Sequence, residues 1–257
     1  MNLFKGTLTI LFVILVIGSF TYFTGFFDSV EQTSAEEIDR ALIVDQLNLT
    51  RPNKTFVAEA TEVLETKDYQ VDYVAGKNVT VDFYRNLTSE EYDIIVFRVH
   101  SSASEYDDNP VVLFTSESYR KDRYQIEQVT NNLQKVYYNY GEEHYFAVSP
   151  KFIRGLSGDF DNATVILMGC EGLKHNNMGK AFVDKGAKVF VSWSGPVTAT
   201  HSDRTTIRFL EHFVEEERNV DRSIIYAMAE IGSDTEYESY LKYYPHSAAL
   251  HRVSPLD

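Results

Sequence analysis

The 257 residues are 44% hydrophobic and 14% aromatic, with 24 basic and 38 acidic side chains and a formal charge of −14. That balance excludes nucleic-acid recognition through a general basic field, and the ordinary apolar and charged fractions exclude wholesale disorder. A single cysteine leaves no intramolecular disulfide framework and no cysteine-based zinc cluster.

Residues 1–27 differ from the rest. The run 7–27, TLTILFVILVIGSFTYFTGFF, carries no charge, and as a helix it would span about 31 Å, the thickness of a bilayer core. Lys5 precedes it; Asp28, Glu31, Glu36 and Glu37 follow. This predicts an N-terminal membrane anchor with residues beyond it exported, so a single-pass protein of the cell membrane with an extracytoplasmic C-terminal domain. A cleaved signal peptide is the competing reading, against which Phe23, Phe26 and Phe27 stand where small residues should. Without that segment's one lysine the remainder holds 23 basic and 38 acidic residues, a charge of −15. It also carries N-x-S/T sequons at Asn48, Asn53, Asn78, Asn86 and Asn162, candidates for glycosylation in an exported protein.

Residues 28–40 are acidic and read as a linker. From 41 onward short apolar runs alternate with amphipathic stretches. Strands are predicted at 41–47, 69–76, 94–100, 163–170 and 187–195. Helices are predicted at 53–67, 178–187, 202–218 and 221–231, with a short one over 87–93 from a capping signal. The interval 101–150 breaks the rhythm; it reads as an insertion over one edge that could add a hairpin, with a strand at 111–117 and a helix near 121–136. Strands alternating with helices predict an α/β domain over 41–257: a mostly parallel sheet with helices on both faces, its ligand site beyond the carboxyl ends of the strands. The Tyr-rich tract 237–244 reads as core packing or an interaction surface.

Two strand ends carry chemistry. His100 closes the third strand and Cys170 the fourth; on adjacent parallel strands an imidazole and a thiol arrive at one sheet edge, a candidate acid–base and nucleophile pair. Gly169 and Gly172 let the chain turn sharply beside the thiol. No cofactor and no metal are expected.

The segments V-H-S-S-A (99–103) and I-L-M-G-C-E-G (166–172) resemble the caspase-like cysteine peptidases (clan CD), most of all the CHAT-domain and gingipain-type members. The resemblance implies a caspase-hemoglobinase-like three-layer sandwich and a cysteine endopeptidase acting on a protein or peptide. It implies Cys170 as nucleophile, His100 as acid–base residue, and backbone N–H groups of Ser101 and Cys170 as the oxyanion site. It implies substrate-binding positions at Asp45, Gln46, Ser192, Trp193 and Ser194; Asp45 on a pocket wall would favour a basic side chain before the cleaved bond. Glu171 could orient His100 or make only a local hydrogen bond. Ser101 departs from the family, which has glycine after the histidine. The alternatives are an inactive caspase-like domain that binds peptides or protein partners, and an unrelated flavodoxin-like extracellular binding domain.

Overall fold

A computed structural model describes residues 38–103, 110–138 and 143–253. The anchor and most of the linker lie outside them. Among the described residues no helix is long and apolar enough to cross a membrane.

Five parallel strands form the centre: β1 (Arg40–Asp45), β2 (Gln70–Ala75), β3 (Ile94–Arg98), β8 (Thr164–Leu167) and β9 (Val189–Trp193). Their order is β9-β8-β3-β1-β2, and β10 (Leu241–Tyr244) adds an antiparallel strand beside β9. The register is unshifted along β2, β1 and β3, where Ala75, Asp45 and Arg98 stand in line, and along β8 and β9, where Leu167 stands opposite Ser192. The carboxyl ends therefore make one edge.

Strands β1, β3, β8 and β9 are almost wholly apolar because both faces are covered. Ile43, Val96, Ile166 and Val191 pack with Phe56, Leu64, Phe209 and Phe213. Those partners come from α1 (Lys54–Glu65), from α6 (Ala199–Leu210) and from the π-helical turn Glu211–Glu215 that continues it; α7 (Val220–Ile231) completes the layer. Leu42, Val44, Ile95, Phe97, Val165 and Leu167 face the other way. They meet Tyr84 of α2 (Val81–Arg85), Ile153 of α4 (Pro150–Arg154) and Phe182 of α5 (Asn177–Asp184).

Residues 101–148 build a second, antiparallel sheet. Its strands are β4 (Ser101–Ser102), β5 (Val112–Ser118), β6 (Leu133–Tyr137) and β7 (His144–Val148), in the order β4-β5-β7-β6. Leu113, Phe146 and Val148 belong to the same cluster as Val44 and Phe97, so this sheet packs on a face of the main one and not merely over its edge.

Two predicted helices are corrected. No helix forms over 87–93: Thr88 spends its hydroxyl on the Gly158 N–H (3.3 Å), and the helix lies earlier, at α2, where Thr80 accepts from Phe83 N (3.1 Å). The helix near 121–136 shrinks to α3 (Gln125–Val129), because Asn131 takes a left-handed φ of 56° and the residues beyond pair with β7. The tract 237–244 supplies edge strand β10.

Candidate active-site cleft

Strands β3 and β8 are neighbours, with Phe97 opposite Leu167. Val99 and His100 leave one; Met168, Gly169 and Cys170 leave the other. A Cβ on Gly169 would stand 2.3 Å from Ser101 Oγ and 2.5 Å from the Val99 carbonyl oxygen, so only glycine lets the two segments approach this closely. Ser101 Oγ donates to the Cys170 carbonyl at 2.6 Å. The two segments are thus bonded from the residue after His100 to the backbone of Cys170 itself.

Cys170 Sγ lies 3.5 Å from both the N–H and the C=O of Val197, accepting from one and donating to the other. Burial raises the thiol above its ordinary value, and the charges of Glu171 and Asp234 add to this. The N–H groups of Val197 and of Cys170 itself oppose the rise without cancelling it. The clasp is braced from behind. Asp234, 1% exposed, accepts from Thr198 N and Oγ1 (3.0 and 2.8 Å), and Tyr240 N donates to Ser194 Oγ at 3.0 Å.

His100 is held by its backbone and by its ring. Its N–H donates to Gln46 Oε1 (3.0 Å) and its carbonyl accepts from Phe114 N (2.9 Å). Nε2 lies 3.1 Å from Thr50 Oγ1, and the ring packs against Tyr138, centroids 4.8 Å apart. Burial, followed by the positive charges of Arg51 and Arg98, pushes the imidazole down to about 4. At neutral pH both candidate groups are uncharged. Among the described residues no hydrogen bond joins Cys170 Sγ directly to the His100 ring.

The predicted substrate pocket fares differently. Asp45 is 0% exposed and its Oδ1 accepts from Arg98 Nη1 at 2.8 Å, so its charge is already matched inside the protein. Ser192 is buried and donates to Leu167 O (2.7 Å), filling the space that Gly172 leaves open. Trp193, also 0% exposed, donates Nε1–H to Ser202 Oγ at 2.9 Å and belongs to the core. These three are structural. Gln46 props His100 and donates to Tyr138 Oη; Ser194 ties β9 to Tyr240. Glu171, in left-handed backbone at φ 60°, accepts from Ala103 N (2.9 Å) and pairs with Lys174 Nζ (2.7 Å). It clamps the loop after His100 and does not touch the ring.

Asn78, Asn86 and Asn162 are exposed and Asn48 half-buried. Asn53 is corrected as a glycosylation site: its Oδ1 caps α1 by accepting from Phe56 N, and its Nδ2 donates to Asp203 at 2.8 Å.

Sequence reasoning missed a buried charge network behind the cleft. Arg98 reaches Asp203 through Nε (2.8 Å) and Nη2 (2.9 Å), Asp45 through Nη1, and the Arg51 carbonyl through Nη2 (2.8 Å). An arginine inside an otherwise apolar strand, two residues before His100, was the available signal.

A largely parallel sheet with helices on both faces is a mixed α/β fold, with a histidine and a cysteine just beyond the ends of two adjacent strands. Among solved structures, the crystal structure of the Arg-specific cysteine proteinase gingipain R is similar, with a TM-score of 0.53 and 9% identity. The alignment covers 82% of this chain and 47% of that one, so the chain spans about half the length of the structure it matches. At this identity the likeness describes the fold alone. No protein-family model matches the chain, and no curated protein matches it; the CHAT-type part of the expected resemblance gains no support.

Proposed function

We propose that the domain is a cysteine peptidase in which Cys170 attacks the scissile carbonyl and His100 manages the proton. The observation that carries this is the bonded approach of the β3 and β8 ends: Ser101 Oγ on Cys170 O, with Gly169 as the residue that permits it. An imidazole held near 4 is a free base at neutral pH. It can take the thiol proton as the S–C bond forms and return it to the amine as the C–N bond breaks; water then releases the acyl group. Backbone N–H groups of Ser101 and Cys170 are the proposed oxyanion donors. Substrate entry requires the thiol to leave Val197, since both of its hydrogen bonds are spent there. The proposed setting is extracytoplasmic, with residues 7–27 as the anchor and exposed sequons as glycosylation sites. Preference for basic residues loses its proposed determinant with Asp45 and is not part of this reading.

The second reading is an inactive relative that binds peptides in the same cleft. It is favoured by the raised, clasped thiol and by Ser101 in place of the family's glycine. Labelling with a peptidyl acyloxymethyl ketone, wild type beside Cys170→Ala, separates them. Labelling that requires Cys170, together with turnover of a peptide library, supports the peptidase. Folded wild-type protein that neither labels nor cleaves is the inactive relative.

A further inference from the structure

Away from the His100 and Cys170 edge, a cleft of about 390 Å³ lies between the turn before β6, helix α4 and the start of α5. That volume is at the lower end of the range of small-ligand sites, about 300–1,000 Å³. Its charge runs against that of the molecule. Lys151 and Arg154 line it and, among the described residues, no carboxylate does, in a chain with 38 acidic and 24 basic residues.

The hydrogen-bonding groups around it are mostly donors. Arg154 carries five N–H donors and, among the described residues, no hydrogen bond or ion pair. The nearby Lys180 is already matched by Asp184 at 2.7 Å. Lys151 spends one of its protons on the Thr130 carbonyl (2.9 Å) and keeps two. The Asn177 carboxamide accepts from Val111 N through Oδ1 (3.1 Å), and its NH₂ has no acceptor among the described residues. Gln134 has no side-chain partner among the described residues. The Ser149 hydroxyl and the Asn131 carbonyl are satisfied by each other at 2.8 Å and do not compete. A guanidinium, an ammonium and two carboxamides therefore line one small space, and among the described residues no carboxylate there matches the two cations.

We propose that this cleft binds an anionic oxygen group, a carboxylate or a phosphate. Arg154 would make the paired, charge-assisted contact, and Lys151, Asn177 and Gln134 would complete it. The group could arrive as a free small anion or as the acidic side chain of a peptide. The proposal does not depend on the peptidase reading, because binding is measured without turnover.

The test is calorimetric titration of the full chain at constant ionic strength. One arm uses inorganic phosphate and the other a short peptide with blocked termini whose only charged side chains are two glutamates, each repeated on Arg154→Gln and Lys151→Gln. Because both side chains are exposed, the variants should melt with the wild type, and a thermal scan checks this. Saturable one-to-one binding in either arm, weakened at least tenfold by Arg154→Gln, supports the proposal. Phosphate binding alone identifies a free-anion site; tighter peptide binding identifies a site for acidic side chains. Mapping by amide chemical shifts should place the change at the side-chain NH₂ groups of Asn177 and Gln134. No saturable binding in either arm, or binding indifferent to Arg154→Gln, overturns it.

Discussion

Arg98→Met is the sharpest test of the charge network behind the cleft. Methionine matches much of the arginine stem but removes all four of its hydrogen bonds: two to Asp203, one to Asp45 and one to the Arg51 carbonyl. Asp45, 0% exposed, and Asp203, 5% exposed, would then be two like charges out of water. Tyr73 Oη and Asn53 Nδ2 still donate to them, at 3.1 and 2.8 Å, which offsets part of the loss. Removing one member of a buried ion pair typically costs about 3–5 kcal/mol, a large share of the roughly 5–15 kcal/mol that stabilises a domain. Asp203→Asn should cost less, about 1.5–3 kcal/mol, because Arg98 then remains paired with Asp45 and no unmatched charge is left. Urea unfolding measures both. In Arg98→Met, NMR titration of His100 should move upward, since Arg98 is one of the charges holding it down. It should stay below 6.5, because burial is the larger cause. The reasoning fails if Arg98→Met costs under about 1 kcal/mol, or less than Asp203→Asn, since the charge would then be reached by water.

The other predictions concern the two strand ends and the protonation of buried groups. Alkylation of Cys170 by iodoacetamide should rise with pH to a midpoint above the ordinary thiol value of 9.0; a midpoint below 8 would mean that the resting thiol is activated and that the Val197 clasp is misread. Gly169→Ala should destabilise by about 1–3 kcal/mol, since its Cβ meets the Val99 carbonyl and the Ser101 hydroxyl. An unchanged midpoint of thermal unfolding would contradict that close approach. His100 and His251 are both held near 4 in the folded protein, against 6.5 ordinarily, chiefly by burial. Above pH 6.5 neither state binds the proton and there is no effect. Between about 6.5 and 4 the unfolded chain takes it up first, so stability declines as pH falls, and this contribution levels off below 4. The decline should be shallower in a His100→Gln, His251→Gln double variant. Equal slopes in wild type and variant would remove the two histidines as its cause.

The central strands were legible because burial on both faces forces a run such as ALIV or TVIL whatever else the chain does. His100 and Cys170 were legible as neighbours in the fold, whatever their role, because each sits where such a run stops. The pocket residues were not. Asp45, Ser192 and Trp193 also stand near strand ends, and the sequence carries no mark of which way a side chain turns there. Asp45 turned to an arginine, Ser192 to a backbone carbonyl and Trp193 to a core serine, because a buried polar group must be matched.

Helix signals were informative only where nothing competed. Asn53 and Asn219, where nothing else among the described residues competes for the side-chain oxygen, cap α1 and α7. Thr88, in an equally good capping sequence, bonds to Gly158 seventy residues away.

From local patterns alone, this sequence determined an α/β domain, the strands of its parallel sheet and the two residues that follow the ends of adjacent strands. Only the tertiary structure decided that four strands between Ser101 and Val148 form a second sheet, that Val197 holds the thiol, that Arg98 balances two buried aspartates, and that two cations share a cleft with no acid among its described lining residues. Periodicity is a property of neighbours in the chain and survives in one dimension. Partners for buried charges, thiols and carboxamides are drawn from segments tens of residues apart, and only folding brings them within reach.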